Sequence, residues 1–207
     1  MGSFWAPRLN AVFIHVPKTG GTSVTVALDD YFIPWSSDGL IRWDKTIIPT
    51  AVNPTLARRC FDYGHSHAVD IRRYLGSDIF DRAFSFGFVR DPIEHTISGY
   101  RAARRPAEQT IDGWLDDLEK DPIEHLAYSQ WPYLTADDHI IVSYVGHYAK
   151  FQLHFDEVCD RLHIARRALP HANISQLPAP DLPKTLEIRI RDMFYRDYNI
   201  FNERLGR

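Results

Sequence analysis

VFIHVPKTGGTS, residues 12–23, joins a largely apolar run to a lysine, two glycines and the hydroxyls of Thr19, Thr22 and Ser23. The run predicts a buried strand over 11–16, the glycines a tight loop at 17–21, and the residues beyond a helix. That helix should start near Thr22 and reach about Tyr31, with Val24, Ala27 and Leu28 on one face. Glycines let backbone N–H groups approach an anion closely, and a helix start adds further donors. Lys18 would contribute a point charge. The lysine, however, precedes the glycines, whereas a Walker-type loop, GxxxxGK[ST], places it after them. A degenerate nucleotide loop, a different anion-binding loop and a structural turn all remain open at this point.

Outward from the loop, strands alternate with helices. Residues 33–56 carry Pro34, Gly39, Pro49 and Pro54 and read as a long irregular excursion, of the kind that is functional or disordered. FDYGHSHAVDIRRYLG (61–76) holds GHSH and then a short helical pattern. A second buried strand is predicted at 84–89. It ends in RDP, where Asp91 can cap a helix, Pro92 suits its first position and Glu94 completes a capping box. DPIEH recurs at 121–125, but the flanks share nothing, so the two are separate helix starts. TIDGWLDDLEK (110–120) predicts an amphipathic helix and 140–144 a third strand. Phe151, Phe155, Val158, Cys159 and Leu162 fall at helical spacing, 170–183 is turn-rich, and a last helix is predicted from Leu182 to about Tyr198. The pattern is that of an α/β fold with a mostly parallel central sheet flanked by helices.

The chain has 207 residues, enough for one domain with a sizeable core, and we expect a single domain over 1–207. It is 44% hydrophobic and 25% charged, as soluble globular proteins are. No apolar run approaches the roughly 20 residues of a membrane span. The start, MGSFWAPRLN, lacks a secretory apolar core, and Ala6 stands where myristoylation wants Ser or Thr. Cys60 and Cys159 are two distant thiols without a CxxC partner, which suits a reducing compartment. We therefore expect a cytoplasmic, prokaryotic protein, or a Golgi-lumen one if residues are missing from this end. A net charge of −3 provides no field for nucleic acid or an anionic membrane. Arginines outnumber lysines, which suits bidentate anion recognition or simply reflects genome composition.

FVRDPIEHTISGY (88–100) puts Arg90 at a strand end and Ser98 about two turns into the next helix. Alone it reads as a capped helix with a stray arginine. Behind a phosphate loop, Arg90 and Ser98 become candidates for a second phosphate. Together with HVPKTGGTS it resembles the signature pair of sulfotransferases that use 3′-phosphoadenosine 5′-phosphosulfate (PAPS). The resemblance is closest to carbohydrate sulfotransferases of the heparan sulfate 2-O type. It implies a nucleotide-kinase-like sheet, PAPS as co-substrate and its desulfated product PAP. It also implies that Lys18, Thr19, Gly20, Gly21, Thr22 and Ser23 hold the 5′-phosphosulfate, and that Arg90 and Ser98 hold the 3′-phosphate. Gln130 to Leu134 resembles an acceptor-side segment, 145–164 a long helix and 169–175 a late loop near the nucleotide. His95 stands where the family commonly has arginine, and His147-Tyr148 where Arg-Phe is common.

Sulfuryl transfer to a hydroxyl needs a proton acceptor, and histidine titrates in the right range. A family Gly-His pair maps the base to His65, with His67 as the alternative; an extended backbone would put both on one face. A metal pair is the rival, but no acidic or cysteine ligand at a compelling spacing completes it, and no metal is expected. His15, His125, His139 and His171 read as ordinary polar residues; Tyr100-Arg101 through Arg104-Arg105 reads as a basic helical stretch, either a solvated face or a surface for a sulfated or carboxylated acceptor. Trp35, Trp43, Trp114 and Trp131 read as core or pocket walls, with Trp35, Gln130, Trp131 and His67 the candidates for meeting the acceptor. The expected chemistry is an in-line displacement, with His65 as base and Lys18 and the loop stabilising charge on the departing phosphate. A magnesium- and ATP-dependent P-loop kinase or NTPase and a non-catalytic PAP-binding module are the alternatives. The acceptor is expected to be a glycan or small-molecule hydroxyl, and the oligomeric state stays open.

Overall fold

The computed structural model describes residues 3–31, 65–103, 109–120, 129–170 and 180–203. The predicted excursion at 33–56, the second DPIEH at 121–125, and Trp35, Trp43, Cys60, His125 and His171 lie outside these residues. Four strands, β1 (Phe4–Ala6), β2 (Ala11–Ile14), β3 (Phe84–Val89) and β6 (Tyr144–His147), form one sheet in the order β1-β2-β3-β6. β2, β3 and β6 are parallel, with Phe13 opposite Phe86 and Phe86 opposite Tyr144. β1 adds an antiparallel edge that the sequence pattern did not reveal.

Along the strands, alternate side chains enter two different cores, as the two-residue period of a strand requires. Phe13, Phe86, Phe88 and Tyr144 face α1 (Gly21–Ala27) and α7 (Phe151–Arg161), which contribute Val24, Ala27, Phe155, Val158 and Cys159. Val12, Ile14, Val89 and Val145 face the other way. They meet Ala68, Ile71, Tyr74 and Leu75 of α2 (Ala68–Leu75) and Phe80 of α3 (Ser77–Arg82). With helices on both faces, these strands are mostly apolar, as parallel strands are, with Ser85 and His147 as buried polar members. A third cluster lies between α4 (Pro92–Ala102), α5 (Ile111–Lys120) and α8 (Lys184–Met193), around Trp114, Leu115, Leu118 and Ile190.

Three predicted elements are corrected. The third strand is not 140–144. A four-residue helix, α6 (Trp131–Leu134), leads into a hairpin of β4 (Thr135–Ala136) and β5 (His139–Ile140), and the sheet strand starts only at Tyr144. Asp137 and Asp138 both take positive φ, +48° and +59°, which is the two-residue turn that tight hairpins favour. The helix expected to reach Tyr31 ends at Ala27, followed by a 3-10 turn over Asp29–Tyr31. There Arg167 donates to the Ala27 carbonyl at 3.0 Å and to Asp30 at 3.0 Å, a basic cap on the helix end. The final helix breaks at Phe194 into α8 and α9 (Tyr195–Glu203), because Ile190 and Phe194 belong to the third cluster and Ile200 to the α2 side of the sheet.

Among the described residues no helix is long and apolar enough to cross a membrane. Phe155 is fully buried between α7 and the sheet. Phe155→Ala should lower unfolding stability by about 3–5 kcal/mol, read from urea midpoints at constant m-value.

Candidate functional site

The parallel strands leave the sheet at one edge, at Ile14, Val89 and His147. Open α/β sheets place ligands beyond such carboxyl ends. Here the edge carries the loop after β2, Arg90 after β3 and the 3-10 turn Tyr148–Lys150 after β6.

The loop is held at every residue of its base. The His15 N–H donates to Ser3 Oγ at 2.9 Å, and Ser3 Oγ donates in turn to the Ser66 carbonyl at 3.4 Å. Three successive carbonyls then each accept from a side chain. His15 O takes His65 Nδ1 at 3.0 Å, Val16 O takes Thr19 Oγ1 at 2.9 Å, and Pro17 O takes His95 Nε2 at 2.9 Å. Lys18 follows with φ +62° and Gly20 with φ +84°. Any Cβ on Gly20 would come within 2.6 Å of the Phe151 ring and 2.9 Å of Tyr148, and one on Gly21 would overlap the His15 ring. Both glycines are therefore required by contact, and Gly20 also by its backbone. Thr19 is buried with its hydroxyl turned back onto the loop, Ser23 is buried, and Thr22 is half-buried.

Arg90 is anchored by both main chain and side chain. Its N–H donates to Gln130 Oε1 at 2.7 Å and its carbonyl accepts from Gln130 Nε2 at 2.8 Å. Its Nε meets Glu94 at 3.1 Å, and its guanidinium lies 4.6 Å over the Tyr148 ring. Asp91 caps α4 as predicted, accepting from Ile93 and Glu94 N–H, while the Glu94 carboxylate turns to Arg90. Ser98 is half-buried and four residues past Glu94, so it lies on the same face of α4. Tyr148 touches both the Gly20 position and Arg90. The sequence marked it only as a departure, although its place directly after a strand end was a usable signal.

His65 and His67 flank Ser66 just before α2 and have different neighbours. His65 stands edge-on to the His15 ring at 4.4 Å, whereas His67 stands edge-on to Tyr133 at 4.6 Å. The His15 carbonyl can only accept, so His65 Nδ1 carries the proton and Nε2 is the basic nitrogen. Trp131 is half-buried against the α2-side core, its N–H on Asp197. Gln130 has no exposed surface. Among the described residues, no group of three or more His, Cys, Asp or Glu side chains is placed to hold a metal ion.

Electrostatically, the site combines cations with neutral imidazoles. Burial, then the neighbouring His65, pushes His15 down to about 3, and burial pushes His95 down to about 4. Burial also holds His65 and His67 below the ordinary histidine value. Lys18 lies below the ordinary lysine value, through burial first and the Arg90 charge second. Two cations that raise each other's energy at a half-buried site would be relieved by an anion between them.

The family model described as "Sulfotransferase family" matches residues 2–202. No curated protein matches the chain. Among solved structures, a sulfotransferase from Alicyclobacillus acidocaldarius is similar at 16% identity with a TM-score of 0.51. The match covers 92% of this chain and 94% of that one, and it shows a shared fold.

His95 yields a test of the loop's support. Its unfolded-state value is 6.5 and its folded value about 4, so the unfolded chain binds more protons between them. The stability it contributes is complete above pH 6.5 and is lost as pH falls towards 4. His95→Gln keeps a donor without the titration. The acid slope of unfolding free energy should fall by about 1.4 kcal/mol per pH unit relative to wild type, measured by urea unfolding between neutral and acid pH.

Proposed function

The chain belongs to the Sulfotransferase family, and from that premise we propose that it transfers a sulfuryl group from PAPS to an acceptor hydroxyl on a carbohydrate. Sulfuryl transfer in general follows from the family. The donor, the acceptor class and the residue roles are our reading. What carries it is the hydrogen bond from His65 Nδ1 to the His15 carbonyl, which leaves Nε2 as a base beside the Lys18 loop.

The donor suits the residues present. The Gly20–Gly21 turn is packed too closely for a Cβ at either position, which keeps its backbone bare at the strand edge, and Lys18 and Arg90 bring two cations to that edge. Lys18, with Thr19, Gly20, Gly21, Thr22 and Ser23, would hold the 5′-phosphosulfate, and Arg90 and Ser98 the 3′-phosphate. His65 Nε2 takes the acceptor hydroxyl's proton, and Lys18 and the loop N–H groups neutralise charge on the departing phosphate oxygens. His67 and Trp131, with Trp35, are assigned to the acceptor. A heparan sulfate 2-O-type acceptor is the closest model for that hydroxyl. A reducing, cytoplasmic setting agrees with Cys159 as a buried free thiol, and one domain over 1–207 would carry the whole activity.

Transfer of labelled sulfate from PAPS across a panel of glycans and metabolites tests the activity. His65→Ala should reduce kcat by about 10²–10⁴-fold and leave PAP affinity unchanged by calorimetry. Transfer that persists in the variant excludes His65 as base. Because His65 titrates below the ordinary histidine value, the acid limb of kcat/KM should lie below pH 6.5. Calorimetry with PAP and with magnesium-ATP separates this reading from a kinase: tighter, magnesium-dependent ATP binding would overturn it.

A further inference from the structure

We propose that Gln130 is a positioning residue for the donor site, setting the main chain of Arg90 and thereby the guanidinium that meets the donor's 3′-phosphate. The inference rests on the reading of Arg90 as that phosphate's ligand. It assigns Gln130 to the donor side, away from the acceptor segment it resembles in sequence.

Arg90 sits where regular structure gives out. The β3–β6 ladder ends with Val89 opposite His147, and α4 starts at Pro92 with Asp91 as its cap. The Arg90 N–H and carbonyl lie between ladder and helix, and buried backbone groups need partners. Gln130 supplies both, at 2.7 and 2.8 Å, acting as one more rung beyond the strand. A primary amide offers a donor and an acceptor side by side without needing to be protonated, and the Arg90 groups themselves fix which way round it sits. With no exposed surface, Gln130 cannot exchange these bonds for water.

Gln130 is held from the far end of the chain. Asp197 of α9 accepts from Ser129 Oγ at 2.7 Å, from Gln130 N–H at 2.9 and 3.0 Å, and from Trp131 N–H at 2.8 Å. One buried carboxylate thus caps the start of α6 from another helix. Burial raises its pKa while these donors work to lower it. The order of control runs from Asp197 to the 129–131 turn, to Gln130, to the Arg90 main chain. Among the described residues, Glu94 and the Tyr148 ring then settle the direction of the Arg90 side chain.

The test is calorimetric binding of PAP and of adenosine 5′-phosphate, which lacks the 3′-phosphate, to wild type, Gln130→Ala and Gln130→Glu. Gln130→Ala should weaken PAP by about tenfold or more, since a buried pair is left unmet, and weaken adenosine 5′-phosphate far less. A purely structural role would weaken both ligands alike, and that result overturns the proposal. Gln130→Glu keeps the shape but, ionised, sets an oxygen against the Arg90 carbonyl; protonated, it donates again. Its PAP affinity relative to wild type should therefore be low at alkaline pH and recover as pH falls. A Gln130→Glu protein that matches wild type at alkaline pH refutes the idea even if Gln130→Ala fails to fold. Wild type that binds adenosine 5′-phosphate and PAP equally overturns the reading of Arg90, and this inference with it. Wild-type discrimination retained in Gln130→Ala overturns only the inference.

Discussion

Everything at the candidate site depends on how the chain leaves β2. The carbonyls of His15, Val16 and Pro17 point to three different donors, His65, Thr19 and His95, and so they cannot continue a ladder. Fixing them fixes the turn at Lys18 and the glycine pair after it, where a positive φ would otherwise be costly for a lysine. The two glycines answer a second constraint from outside the loop: the His15 ring on one side and Phe151 with Tyr148 on the other leave no space for a Cβ. Loop conformation and loop composition thus come from the same packing.

That arrangement also separates neutral from charged groups. The imidazoles of His15 and His95 are buried and pushed well into the acid range, so near neutrality they work as hydrogen-bonding and packing groups without adding charge. The positive field comes from Lys18 and Arg90, which are half-buried and mutually repulsive. His65 lies between these classes, tied to the loop by one nitrogen with its other nitrogen basic. Its hydrogen bond ties the residue read as base to the loop that is read as holding the leaving group. A displacement of one therefore moves the other.

Much of the fold could be read from local pattern. β3 occupies the bounds its apolar run suggested, Asp91 caps α4 as the DP pair implied, and the helix over 151–161 follows its apolar spacing. The misplaced elements share one cause. Residues 140–144 are apolar enough for a strand, yet the turn at Asp137–Asp138 folds the first of them onto Thr135, and pairing with β3 selects 144–147 instead. Likewise, the apolar spacing of the last helix has no means of showing that its two halves serve different cores. Local periodicity encodes which residues prefer burial and is silent about which partner buries them.

By itself, the sequence determined the residue types on which the proposed chemistry rests: a lysine before a glycine pair, an arginine at a strand end, and two histidines between them. It also determined the alternation of strands and helices that implies a mostly parallel sheet. Only the tertiary structure decided that the histidines diverge, His65 to the loop and His67 to Tyr133. It alone decided that His95 holds the loop 78 residues away, that Tyr148 touches both Gly20 and Arg90, and that Gln130 and Asp197 stand behind Arg90. The physical reason is that hydrogen bonds and ring contacts act over a few ångströms in space. Which residues come that close depends on the crossover connections and the parallel register, which no local stretch of chain specifies.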